Sequence, residues 1–139
     1  MRVKKRLGGY PCSHRQFKDD GHCRWLHGYD RWVEITWAGQ RDKRGWVVDF
    51  GGLKEIKDAL EHQFDHTTLV SPDDPCLPVF KELQLLDAIA LRIMDPTMEG
   101  MAQWVADLCI TWTEKNVPTA TVVEVACWEN EKNAAIWKG

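Results

Sequence analysis

The chain has 139 residues, 44% hydrophobic and 28% charged, with a formal net charge of -3. That length is enough to bury one core without demanding a second, so residues 1–139 are expected to form a single domain. The slight acidity gives no electrostatic reason to expect nucleic acid, and the short basic start (Arg2, Lys4, Lys5, Arg6) is expected to be a solvated terminus. No stretch approaches the roughly 20 apolar residues of a membrane helix, and no apolar core follows the basic start as in a secretory leader. The expectation is a cytoplasmic protein without membrane contact.

In chain order, residues 23–29 (Cys-Arg-Trp-Leu-His-Gly-Tyr) place a cysteine, a histidine and a tyrosine where a small zinc enzyme would keep a nucleophile and ligands. Residues 31–37 alternate Val33, Ile35 and Trp37 onto one face and predict a strand; extended backward, that face holds His27 and Tyr29. A turn over 38–45 leads to a second predicted strand, 46–50, closing an antiparallel hairpin. Leu53, Ile56, Leu60 and Phe64 recur at helical spacing, so an amphipathic helix is expected to end near Asp65-His66. A proline-rich connection (71–78) precedes a predicted helix over 80–94, stopped by Pro96. Thr97 is a candidate N-cap, with Glu99 in the first turn, for a helix whose stripe is Ala102, Val105, Leu108 and Trp112. After Pro118, residues 119–128 are β-rich, and 134–137 return beside them. Hairpin, helices and hairpin make an α+β plan: an antiparallel four-stranded sheet with helices on one face.

The five cysteines are an odd number, widely spaced and without a C-x-x-C pair, so reduced thiols are expected. Cys109 and Cys127 lie in apolar runs and fit a core, whereas Cys23 has polar and histidine neighbours able to stabilise a thiolate. A four-stranded sheet leaves open edges, and eight tryptophans exceed what so small a core needs, so burial between subunits is one expectation. Tryptophans lining the sheet under the helices are the other.

Seven short elements follow one another in a telling order: Ser13-His14-Arg15; Cys23-x-x-x-His27-Gly28; residues 45–50 (Gly-Trp-Val-Val-Asp-Phe) with Leu53-Lys54; Asp65-His66; residues 96–99 (Pro-Thr-Met-Glu); Trp128-Glu129; and Ala135-Ile136-Trp137. Together they resemble the 6-pyruvoyltetrahydropterin and 6-carboxytetrahydropterin synthase family over nearly the whole chain. The resemblance implies a tunnelling fold, in which sheets from several subunits join into an oligomeric barrel, commonly a hexamer, with active sites at subunit interfaces. It implies zinc held by three histidines, matched here by His14 and His27, with Tyr29 at the third position. It also implies a catalytic Cys23 with Asp65 and His66, a Glu129 that holds the pterin ring, and Thr97 lining the pocket. The stretch between His66 and Pro96 is longer than the family pattern, an extended helical connection at about 70–96 that would reshape the pocket mouth or form a surface insertion.

The chemistry of such a site is that zinc grips the side-chain hydroxyls of a dihydropterin and acidifies a neighbouring C–H, a thiolate removes the proton, and an Asp-oriented histidine serves as proton partner. A carboxylate is a two-oxygen acceptor matched to a pterin or guanine edge. Phenols lose their proton only near about pH 10, so Tyr29 leaves three readings open: weakened zinc affinity, completion of the shell by His22 or water, or loss of the metal. Two functions follow from the resemblance. One is a zinc-dependent carbon-oxygen lyase like 6-carboxy-5,6,7,8-tetrahydropterin synthase, acting on 7,8-dihydroneopterin triphosphate in queuosine or 7-deazaguanine biosynthesis. The other is a metal-poor pterin- or purine-binding oligomer.

Overall fold

The computed structural model describes residues 1–139. Six strands, β1 (Arg2–His14), β2 (His27–Gly39), β3 (Thr67–Val70), β4 (Leu91–Ile93), β5 (Ala120–Trp128) and β6 (Ala134–Lys138), form one sheet in the order β4-β3-β1-β2-β5-β6. The helices are α1 (Lys54–Phe64), α2 (Leu77–Leu85) and α3 (Met98–Asn116). The expected α+β class holds, but the four-stranded antiparallel sheet is corrected to six strands and a mixed pattern, because β1–β3 and β3–β4 pair in parallel.

The basic start is not a solvated terminus: it is the outer half of β1, paired with β2 from Arg2↔Ala38 to His14↔His27. Its charges alternate with half-buried residues, a strand period masked by the long side chains Lys and Arg keep in water. Residues 46–50, expected as the hairpin partner, form bends and a 3-10 turn over Phe50–Gly52. Local acceptors override β propensity there: Asp42 Oδ1 accepts from the Arg44 and Trp46 amides (2.8 and 3.0 Å), and Asp49 Oδ1 from Gly51 (2.9 Å). The single helix expected over 80–94 divides into α2 and β4, with Asp87 in the left-handed region (φ 59°) at the break.

The helices α1 and α3 behave as expected. Leu53, Ile56, Leu60 and Phe64 are fully buried, and Thr97 caps α3 by accepting from Gly100 N (2.9 Å). The α3 stripe is wider than expected, adding Met101, Ala106, Cys109 and Thr113 to Ala102 and Val105. Helix α3 packs on β5 and β6, α1 on β1 and β3, and their core includes Trp37, whose Nε1 donates to Thr113 Oγ1 (2.9 Å). Trp32 and Trp128 pair across β2 and β5 on the other face, with Arg6 stacked on Trp32 (4.6 Å) and Glu34 accepting from Trp128 Nε1 (3.0 Å). The tryptophans therefore scatter: Trp37, Trp104, Trp112 and Trp137 lie in or against the core, Trp32 and Trp128 on the other face of the sheet, and Trp25 and Trp46 are exposed outside the strands and helices. No helix is long and apolar enough to cross a membrane.

Candidate metal centre and pocket

A bulge in β1 turns His14 toward the centre. Val3, Lys5 and Leu7 are the more buried alternation up to Leu7, and after the register shift between Gly8 and Tyr10 the inward set becomes Tyr10, Cys12 and His14. One extra residue flips the phase of a period-two element, so without it His14 would point to the opposite face. Gly8 makes the bulge possible: its φ is +145°, and a Cβ there would lie 2.7 Å from the Arg31 carbonyl oxygen. At the other end of the pairing, a Cβ on Gly28 would lie 2.5 Å from the Cys12 carbonyl oxygen, so Gly28 lets β2 close on β1 beside the histidines.

His14 and His27 face each other across this register, ring centres 4.8 Å apart. His14 Nδ1 donates to the Pro96 carbonyl (2.7 Å) and His27 Nδ1 to the Trp25 carbonyl (2.6 Å). Carbonyls only accept, so both Nδ1 atoms carry hydrogen, and in the neutral rings both Nε2 atoms present lone pairs. Glu129, just past β5, brings Oε1 to 3.5 Å from His14 Nε2, and ligand atoms of His14, His27 and Glu129 all lie within 4.8 Å of one another. His14 Nε2 is buried and makes no hydrogen bond. Burial first, and then the nearby Arg31 guanidinium, hold the His14 pKa below its usual value, which keeps that lone pair free. The donor set fits a divalent metal such as zinc.

Tyr29 is half exposed; its ring sits edge-on to His27 at 6.1 Å, with Arg31 5.8 Å from its centre. Asp65 and His66 are brought together, Oδ1 to Nδ1 at 3.1 Å, with His66 in the left-handed region (φ 57°) and its ring 80% exposed. Cys23 sits in a short 3-10 turn, gives its carbonyl to Gln16 N (2.9 Å), and its thiol makes no hydrogen bond within the chain. The metal pair and the Asp65–His66 pair are thus each assembled, while the Cys23 thiol is hydrogen-bonded to neither. A hollow of about 440 Å³ beside β1 and β2 is lined by Cys12, Tyr29, His66, Thr67, Ala88 and Ile89 among others. Thr97 stands at the α3 N-terminus, with its Oγ1 donating to Asp95 Oδ1 (2.8 Å) while capping.

Two contributors escaped the sequence reading. Arg31 is fully buried, with Nη1 donating to the Glu129 carbonyl (3.1 Å) and Nε and Nη2 without partners. Its signal was available, because position 31 continues the inward alternation of Val33, Ile35 and Trp37. Cys12 is buried against Thr67 Oγ1 (3.8 Å), and burial pushes its thiol pKa up; with β1 read as a terminus, no signal pointed to it.

The model of the family described as 6-pyruvoyl tetrahydropterin synthase matches residues 3–139. The chain belongs to this family. Among the pterin synthases, the chain is 36% identical over 97 residues to the 6-carboxy-5,6,7,8-tetrahydropterin synthase of Rickettsia typhi, covering 67% of this chain and 69% of that protein. It is 33% identical over 89 residues to the probable 6-carboxy-5,6,7,8-tetrahydropterin synthase of Halobacterium salinarum, covering 64% of this chain. That match spans 57% of the Halobacterium protein, and another spans 49% of the Rickettsia conorii one, so the chain covers about half the length of these relatives. In fold, the chain is similar to an uncharacterized protein of Wolinella succinogenes (TM-score 0.86, 20% identity, 100% and 98% of the two chains). It is likewise similar to the 6-pyruvoyl tetrahydropterin synthase of Plasmodium vivax (TM-score 0.69, 18% identity, 99% and 97%).

Proposed function

We propose that the chain is a carbon-oxygen lyase of the 6-carboxytetrahydropterin synthase type, acting on 7,8-dihydroneopterin triphosphate in a route to 7-deazaguanines such as queuosine. The observation that carries this reading is the pair of Nε2 lone pairs of His14 and His27, locked by carbonyls on both Nδ1 atoms, in a chain of the pterin synthase family. A zinc ion held by His14 and His27 would supply a Lewis acid for the side-chain hydroxyls of the substrate. Cys23, as thiolate, takes the proton from the acidified C–H; Asp65 orients His66, which passes protons to and from the site. The exposure of the His66 ring supports a relay completed between neighbouring copies in a homo-oligomer. The groove of about 610 Å³ on the helix-free face, with Trp32 and Trp128 in its wall, supports the same assembly. Thr97 is assigned to the wall of the pterin pocket by family resemblance. Ring recognition falls to Glu129 by family resemblance, although its carboxylate also stands at the histidine pair.

One observation favours the second reading, a metal-poor pterin- or purine-binding oligomer: the buried positive charge of Arg31 opposes a dication beside it. Incubation of zinc-supplemented protein with 7,8-dihydroneopterin triphosphate separates the two. Loss of triphosphate with a 6-carboxy or 6-pyruvoyl product of the right mass supports the lyase. Bound pterin without turnover supports the binder. Cys23→Ala is expected to abolish turnover while leaving pterin affinity within about twofold, and undiminished activity removes Cys23 from the mechanism.

A further inference from the structure

The centre gathers three metal-ligating side chains, His14, His27 and Glu129, with the buried Arg31 guanidinium bonded to the Glu129 main chain beside it. With both Nδ1 atoms bonded to carbonyls, the neutral rings of His14 and His27 offer their Nε2 lone pairs, and one ligand atom from each histidine and from the Glu129 carboxylate lie within 4.8 Å of one another. Acceptors crowded together without a hydrogen between them repel unless a cation sits among them. Zinc bonds of about 2 Å in a tetrahedral shell put ligand atoms about 3.4 Å apart. The 3.5 Å between His14 Nε2 and Glu129 Oε1 already matches that separation.

Arg31 explains why the third group should be a carboxylate. Its guanidinium is fully buried, reaches the Glu129 main chain through Nη1 (3.1 Å), and leaves Nε and Nη2 without acceptors. A neutral third ligand would leave the dication facing a permanent cation at close range, whereas an anionic one offsets part of that charge. The same hydrogen bond holds the Glu129 backbone against the centre, which makes Arg31 a positioning residue as well as a charge.

We propose that Glu129, not Tyr29, is the third protein ligand of a His14/His27/Glu129 divalent-metal centre, with Arg31 positioning Glu129 and making its negative charge necessary. The proposal deepens the metal part of the function above and rests on that part alone.

The test is a zinc titration of the full chain against a chromophoric chelator, with no pterin present, so that a failed turnover assay does not bear on it. Glu129→Gln is expected to weaken zinc binding by more than about tenfold, the scale at which even outer-shell partners act, and Tyr29→Phe to leave it within about twofold. Arg31→Met is expected to shrink the loss caused by Glu129→Gln in the double variant, because the charge that makes an anionic ligand necessary is then gone. Chelator-treated Glu129→Gln should melt at the temperature of chelator-treated wild type, and at limiting zinc wild type and Tyr29→Phe should gain more thermal stability than Glu129→Gln. As a second readout, copper(II)-loaded wild type is expected to show no phenolate-to-copper charge-transfer band. A Tyr29→Phe variant that loses zinc, a Glu129→Gln variant that keeps it, a wild type that binds none, or a phenolate band abolished by Tyr29→Phe would each overturn the assignment. If Glu129 instead serves only the pterin ring, Glu129→Gln weakens pterin binding to the metal-free protein and leaves the zinc titration unchanged, which also overturns it.

Discussion

Arg31 carries a full charge into the interior with one hydrogen bond to show for it. Burial lowers its pKa, with Cys12 and Glu129 pulling the other way, and a buried charge of this kind is costly unless something compensates it. Replacing it with an apolar side chain of similar length is therefore expected to leave the metal-free fold equally stable or firmer by about 1–3 kcal/mol, read from urea unfolding of Arg31→Met in chelator. A loss of more than about 1 kcal/mol would mean that the guanidinium is better satisfied than its neighbours within one chain indicate. At this scale the sequence was readable for His14, His27, Asp65 and Thr97, whose residue types carry chemistry or capping. It was unreadable for the Pro96 and Trp25 carbonyls, because any residue type supplies a carbonyl and only the fold aims it.

Elements place these side chains, and the β1 bulge is the decisive one. Gly8→Ala puts a Cβ against the Arg31 carbonyl and the Trp32 ring at a φ that side chains rarely adopt. The expected cost is about 2 kcal/mol or more, measured by chemical denaturation, together with weakened metal binding as His14 loses its facing. Unchanged stability and metal affinity would show that the bulge relaxes without moving the strand. Thr97→Ala removes the N-cap of α3 and should cost about 1 kcal/mol in the same experiment. Because Thr97 is also assigned to the pterin pocket, a stability loss without any change in pterin affinity would reduce it to a cap. Helices α1 and α3 were legible because their apolar spacing is unbroken over three turns or more. The strand misread at 46–50 has valines that are indeed buried, but Asp42 and Asp49 claim the local amides and bend the chain first.

For the molecule as a whole, the core sets a pH limit. Burial pushes both Cys109 and Cys127 up to about 12, from 9.0 for a free thiol. An unfolded chain sheds these protons above about pH 9 while the native core keeps them, so stability is intact below about pH 9 and falls between there and about pH 12, by at most about 1.4 kcal/mol per pH unit for each thiol. Urea midpoints at about pH 8 and about pH 10 should differ accordingly, and a Cys109→Val, Cys127→Val variant should flatten the difference; an unaltered fall would assign it to other groups. The sheet ends in β4 and β6, both short, and Ile93 and Ile136 on them are about half exposed. These edges and the Trp32/Trp128 face are where copies of the chain are expected to meet, and sedimentation at increasing protein concentration checks whether they associate at all.

The amino-acid sequence by itself determined the α+β class, the two amphipathic helices, the cap at Thr97 and the family, because each depends on local spacing or on short elements in order. Tertiary structure alone decided that the basic start is a strand, that a bulge turns His14 inward, and that Glu129 meets two histidines more than a hundred residues of chain away, beside a buried arginine. Strand register and the convergence of distant segments are properties of pairing between chain segments, and no single segment carries them.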